Sequence, residues 1–92
     1  MATVTVESAG SGEFRVRVRD GRDETTHVVT VADADYVRLT SRRIPVDELV
    51  RRSFDFLLER EPKESILSRF DLAVIARYFP EYDDEIRRRI GG

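Results

Sequence analysis

The stretch that most restricts this chain is Glu13-Phe14-Arg15-Val16-Arg17-Val18-Arg19, a strict alternation of apolar and charged side chains. Successive side chains of a β-strand point to opposite faces, whereas a helix would scatter these residues around its circumference. The stretch is therefore a strand with Phe14, Val16 and Val18 toward a core and Arg15, Arg17 and Arg19 away from it. Asp20-Gly21 follows, and both residues tolerate the positive φ of a tight hairpin turn. Thr25 to Val31 is β-branched and forms the returning strand; Val4 and Val6, alternating with Thr3, Thr5 and Glu7, form a shorter one in front. Ser8-Ala9-Gly10-Ser11-Gly12 is the flexible turn between the first two. The first third thus reads as an antiparallel three-stranded meander, with strands near 2–7, 13–19 and 25–31.

The period then changes. Pro45 suits a first helical turn, where its missing N–H costs nothing. Val46, Leu49, Val50, Phe54, Leu57 and Leu58 recur at spacings of three and four. With Phe56 they cover roughly 200° of helical circumference, against the ~100° stripe that one packing surface requires. This predicts a helix over 45–61 that touches the sheet on one side and later helices on the other. If nothing covers the side bearing Leu49 and Phe56, that side is a candidate protein interface. Pro62 and Pro80 punctuate the remainder into short helices near 63–70, 71–79 (with Asp71 as N-cap) and 81–90, where Tyr82, Ile86 and Ile90 are spaced by four. Residues 33–39 read either as a short helix capped by Asp33 or as a loop. The expected class is α+β: a meander packed on a long amphipathic helix, then two or three short C-terminal helices, all in one domain over 1–92.

Composition narrows the function. With 40% hydrophobic and 37% charged residues, the chain can build a core under an ionic surface. It has no cysteine, which excludes disulfides, thiol catalysis and thiolate metal sites. No apolar run reaches the ~18 residues of a membrane span, and the first residues lack the pattern of a secretory leader, so a cytoplasmic protein with no membrane partner is expected. The net charge of −2 argues against general coating of nucleic acid.

Fifteen of the 16 basic residues are arginine, Lys63 being the exception. Arg51-Arg52 and Arg87-Arg88-Arg89 resemble basic patches in a linear scan. Asp47 and Glu48 precede the first pair by four residues, and Asp83, Asp84 and Glu85 so precede the second cluster. Acid N-terminal to base at that spacing gives a salt-bridged, solvated helix face. Arg15, Arg17 and Arg19 share one strand face at intervals of ~6.5–7 Å, close to the spacing of phosphates along a nucleic-acid strand. A turn at Asp20-Gly21 would set Arg17 opposite Glu24 and Arg15 opposite Thr26, cancelling only part of the charge. The face is then either a solvent surface that discourages edge pairing or the nucleic-acid contact of an antitoxin-like regulator. It lacks the aromatic platform of a sheet that stacks bases.

His27, the one histidine, falls on the same side as Phe14, Val16 and Val18 and has no catalytic company in sequence, so a packed imidazole is expected. Asp33-x-Asp35 lacks the glycine and glutamate of a calcium loop. Phosphate loops, nucleophile elbows and dinucleotide fingerprints are absent, and no enzymatic activity, cofactor or metal is expected. Phe70, Tyr78, Phe79 and Tyr82 cluster around Pro80, either closing the core or setting Tyr78 and Tyr82 at the centre of a protein interface.

The final Gly91-Gly92 resembles the tail of ubiquitin-like modifiers, and Thr3–Arg19 resembles the hairpin that opens their β-grasp fold. That resemblance implies conjugation through an exposed diglycine. It departs where those folds place strands after the central helix, since the last third here reads as helical. A glycine past a helix end is also an ordinary left-handed cap. Taken together, the residues lead to a non-enzymatic interaction or regulatory domain of a bacterial or archaeal cytoplasm, whose partner is another protein or a second copy. The nucleic-acid regulator is the alternative, and the modifier a minor one.

Overall fold

The computed structural model describes residues 2–91, and its N-terminal strands pair as the alternation requires. β1 (Thr3–Gly10), β2 (Glu13–Asp20) and β3 (Asp23–Thr30) form an antiparallel meander. Phe14, Val16, Val18, His27 and Val29 are buried on one face, and Arg15, Arg17 and Arg19 are exposed on the other. Helices α1 (Asp33–Thr40), α2 (Val46–Leu58), α3 (Ile75–Tyr78) and α4 (Tyr82–Gly91) follow, so the class is α+β.

The second hairpin turns one residue later than Asp20-Gly21. Asp20 pairs with Asp23, leaving Gly21-Arg22 as the loop. Gly21 has a φ of 65°, and Arg22 is not left-handed. This is the requirement of a type II′ turn, positive φ at the first central position only. Moving the turn by one residue moves the register by two, so no side chain changes face. Arg17 therefore lies opposite Thr26, Arg15 opposite Val28 and Arg19 opposite Glu24, correcting the expected pairing of Arg17 with Glu24 and Arg15 with Thr26.

The largest departure is at 63–70, expected as a helix. Only Lys63–Ser65 turns, as a 3-10 helix; the chain then runs extended, and β4 (Arg69–Asp71) pairs parallel to β3. The sheet order is β1-β2-β3-β4. The reason lies at the edge of β3, whose backbone groups need partners once the helices cover the inner face. The extended segment supplies them: Val28 N–H donates to Ser68 O at 2.8 Å, and the Thr30 hydroxyl donates to Asp71 Oδ1 at 2.7 Å. An isolated helix of that length is marginal in any case.

α2 has 13 residues and is shorter than the expected 45–61, with Pro45 at its N-cap and Glu59 at its C-cap. It is nonetheless central. Phe54 packs toward the sheet against His27 and Phe70, with ring centroids at 5.3 and 6.0 Å. Phe56 packs the other way, edge-on to Tyr82 at 5.3 Å and Phe79 at 5.9 Å. Burial of each such side chain contributes about 1.5–3 kcal/mol gross.

The flanking helices differ in detail from expectation. α1 is helical, but its N-cap is Ala32 rather than Asp33, with no side-chain cap. It ends on two successive left-handed residues, Ser41 (φ 52°) and Arg42 (φ 60°), where the Thr40 hydroxyl accepts from Arg42 N–H at 3.0 Å. Asp71 does cap the next turn, accepting from Ala73 N–H at 3.0 Å. The expected helix over 71–79 is divided into a 3-10 turn, Leu72–Val74, and the four-residue α3.

Candidate interaction groove

Of the four residues expected at an interface, three belong to the core. Leu49 and Phe56 have no exposed surface, and Tyr82 retains 1%. Phe56 is not open on its outer side because the Arg60 guanidinium lies over its ring, 3.6 Å from the centroid, while Phe79 and Tyr82 close the rest. Tyr82 places its hydroxyl 2.6 Å from Ser53 Oγ, and burial pushes its phenol pKa up. These three side chains present no surface to a partner; only Tyr78 does, at 68% exposure.

Tyr78 stands on the rim of an apolar groove of about 360 Å³. Leu57 of α2, Ile66 and Phe70 of the extended segment, Val74 just before α3 and Ile75 at its start line it, with Leu67 on the rim 49% exposed. The groove follows from the fold: residues 66–70 are extended, so the space a helix would have filled lies open between them and α3. His27 fixes this wall. A carbonyl oxygen only accepts, so Nδ1 of His27 carries the proton and donates to Leu67 O at 2.8 Å. Nε2 lies 2.9 Å from the Thr25 hydroxyl, and the ring rests on Phe54. The isolated histidine is a strut between the sheet and the groove. Glu61 also lines the groove, and its carboxylate forms no ion pair among the described residues.

No family model, curated protein or solved structure matches the chain.

The outer sheet face carries the other candidate set. Arg15, Arg17 and Arg19 are indeed exposed together. Yet each has an acid close by: Glu7 lies 3.3 Å from Arg17 and opposite Arg15, and Glu24 is opposite Arg19. Arg69 joins the same face beside Val28, with Asp71 beside Thr30 and Glu13 at the other end of that row. Arg15, Arg17, Arg19 and Arg69 are thus matched by Glu7, Glu13, Glu24 and Asp71, and the face has no excess positive charge.

The helical arginine clusters are paired, though not always at the expected four-residue spacing. Arg52 meets Glu48 that way, but Arg51 takes Glu48 and Asp55, Arg87 takes Asp84, and Arg88 takes Glu85. Arg89 reaches Glu59 at 2.6 Å, and Asp83 accepts from Arg38 of α1 at 2.5 Å, so two pairs join separate elements. Asp33 and Asp35 are engaged by Arg42 and Arg38, each at 3.2 Å. Gly91 is the last helical residue of α4 rather than a left-handed cap, and a Cβ there would meet Arg43 Nη1 at 2.8 Å. Gly92, the other half of the diglycine, lies outside the described residues.

Sequence reasoning missed Leu67 and Glu61 as groove residues. Their signal was weak: Leu67 fell inside the expected helix 63–70, and Glu61 at the end of the expected helix 45–61, which stops at Leu58.

Proposed function

We propose that this chain is a non-catalytic interaction module that docks an amphipathic peptide segment of another protein in the groove between α3 and residues 66–70. One observation carries the reading: Tyr78 and Leu67 stand exposed on the rim of an apolar groove, beside a Glu61 carboxylate with no ion-pair partner among the described residues. Large apolar side chains left in water at a concave site favour a docked segment over solvent. Tyrosine suits the centre of such a contact, having a broad ring and few rotamers to order. Glu61 sets the polarity of the occupant, which brings two or three apolar anchors and an arginine or lysine at one end. The balanced charge of the outer sheet face makes a nucleic-acid ligand the weaker reading.

Selection of displayed peptides on the purified protein tests this. Enriched peptides are expected to carry closely spaced Leu, Phe or Met with a flanking basic residue. They should lose at least tenfold affinity to Tyr78→Glu with Leu67→Glu, and several-fold to Glu61→Gln. Equal binding by the doubly substituted groove, or selection of peptides that instead need Arg15 and Arg17, overturns the proposal.

A further inference from the structure

β1 is an eight-residue edge strand whose only strand neighbour in the described sheet is β2. Its outward backbone N–H and C=O groups face no strand there. Edges of this length are usually guarded by a lysine, a proline or a bulge. Thr3 to Glu7 carries none of these, because the bulge falls later, between Ser8 and Gly10. That irregularity turns the end of the strand away and leaves a regular five-residue segment with Thr5 at its middle. Along it, Thr3, Thr5 and Glu7 are exposed on the outer face, and Val4 and Val6 are half-buried on the inner face.

We propose that this segment pairs antiparallel with the same segment of a second copy, on a two-fold axis at Thr5. A two-fold axis requires antiparallel pairing, and pairing about Thr5 keeps outer residues opposite outer and inner opposite inner. Val4 of each copy meets Val6 of the other, completing burial of the half-covered valines. Thr3 of each copy meets Glu7 of the other, and Thr5 meets Thr5, so no like charges oppose one another at the axis.

The charges supply the matching. Thr3 is the cross-strand neighbour of Arg19, which forms no ion pair among the described residues. In the pair, Arg19 of one copy stands two strand spacings, ~9–10 Å, from Glu7 of the other. An arginine and a glutamate span that distance over a threonine, and the symmetry makes the contact twice. Glu7 is half-exposed, with Arg17 as its partner within one copy, so a second arginine completes its coordination.

Sedimentation equilibrium over a wide concentration range tests the pairing. The weight-average mass should rise from the 10.6 kDa of one chain toward that of two. Thr5→Lys sets two ammonium groups face to face on the axis and should hold the chain monomeric. At concentrations where the wild type is monomeric the two thermal melts should coincide, because Thr5 is exposed in a single copy. Glu7→Arg and Arg19→Glu should each weaken association several-fold, and the two combined should restore it. A single-chain mass at every concentration overturns the proposal, as does a dimer indifferent to Thr5→Lys. Failure of the combined charge exchange to restore association overturns the register about Thr5. A dimer lost through Tyr78→Glu but kept in Thr5→Lys overturns the proposal and assigns association to the groove.

Discussion

Ser53 Oγ and Tyr82 Oη lie 2.6 Å apart inside the core, a hydrogen bond that ties α2 to the start of α4. The Ser53 hydroxyl also donates to Leu49 O at 2.8 Å, so the Tyr82 hydroxyl is the donor between the two side chains. The substitutions are therefore unequal. Tyr82→Phe removes one hydrogen bond and leaves Ser53 satisfied, costing about 1 kcal/mol. Ser53→Ala strands the Tyr82 hydroxyl without a partner and should cost about 1–3 kcal/mol. Chemical denaturation of both variants and of the double variant should rank Ser53→Ala as the more damaging, with the double variant close to Tyr82→Phe. The reverse order would show that the hydroxyl is satisfied elsewhere.

The same tyrosine sets an alkaline limit. Burial raises the Tyr82 pKa in the folded protein. The folded state thus keeps a proton that the unfolded chain begins to release near pH ~10. Unfolding then lowers the number of bound protons, so stability falls as pH rises above that value. Thermal melts of the wild type should lose midpoint between pH 9 and 11 on the order of a few degrees more than those of Tyr82→Phe. Parallel curves for the two proteins would sink this account.

His27 holds the wall of the groove through Leu67 O, so its removal should be felt there first. His27→Ala leaves that carbonyl unpaired and opens a void beside Phe54, at a cost of about 2–4 kcal/mol. Amide exchange of residues 66–70 should accelerate more than that of β1 and β2. Uniform acceleration would mean that the imidazole supports the sheet as a whole rather than this wall.

On the acid side, Glu59 and Glu48 have pKa values held below the usual carboxylate range, by a hydrogen bond from Arg89 in the first case and from Arg51, then Arg52, in the second. A carboxylate depressed in the folded state contributes stability above the unfolded pKa of ~4.3 and loses it as pH falls through the folded value. These pairs are largely solvated, so Glu59→Gln should cost less than about 1 kcal/mol at neutral pH. Its effect should diminish as pH falls below ~4.3 and shrink in high salt; a cost independent of both would place its origin in packing rather than charge.

The alternation from Phe14 to Arg19 and the three- and four-residue spacing from Val46 to Leu58 were enough to define the meander, its buried face and the central helix. Backbone geometry makes those patterns local, which is why a turn misplaced by one residue left every side chain on its proper face. Residues 63–70 could not be read the same way. Ile66, Leu67 and Phe70 fit a helical turn in isolation, and they are extended because β3, more than thirty residues earlier, needed its edge covered. Nor could the spacing around α2 show that Arg60 would close over Phe56, or that Arg89 would choose Glu59 and Asp83 would choose Arg38. Periodicity tells which side of an element avoids water. Which neighbour covers that side, and which flank stays open as at Tyr78, is settled only when distant segments compete for the same surface.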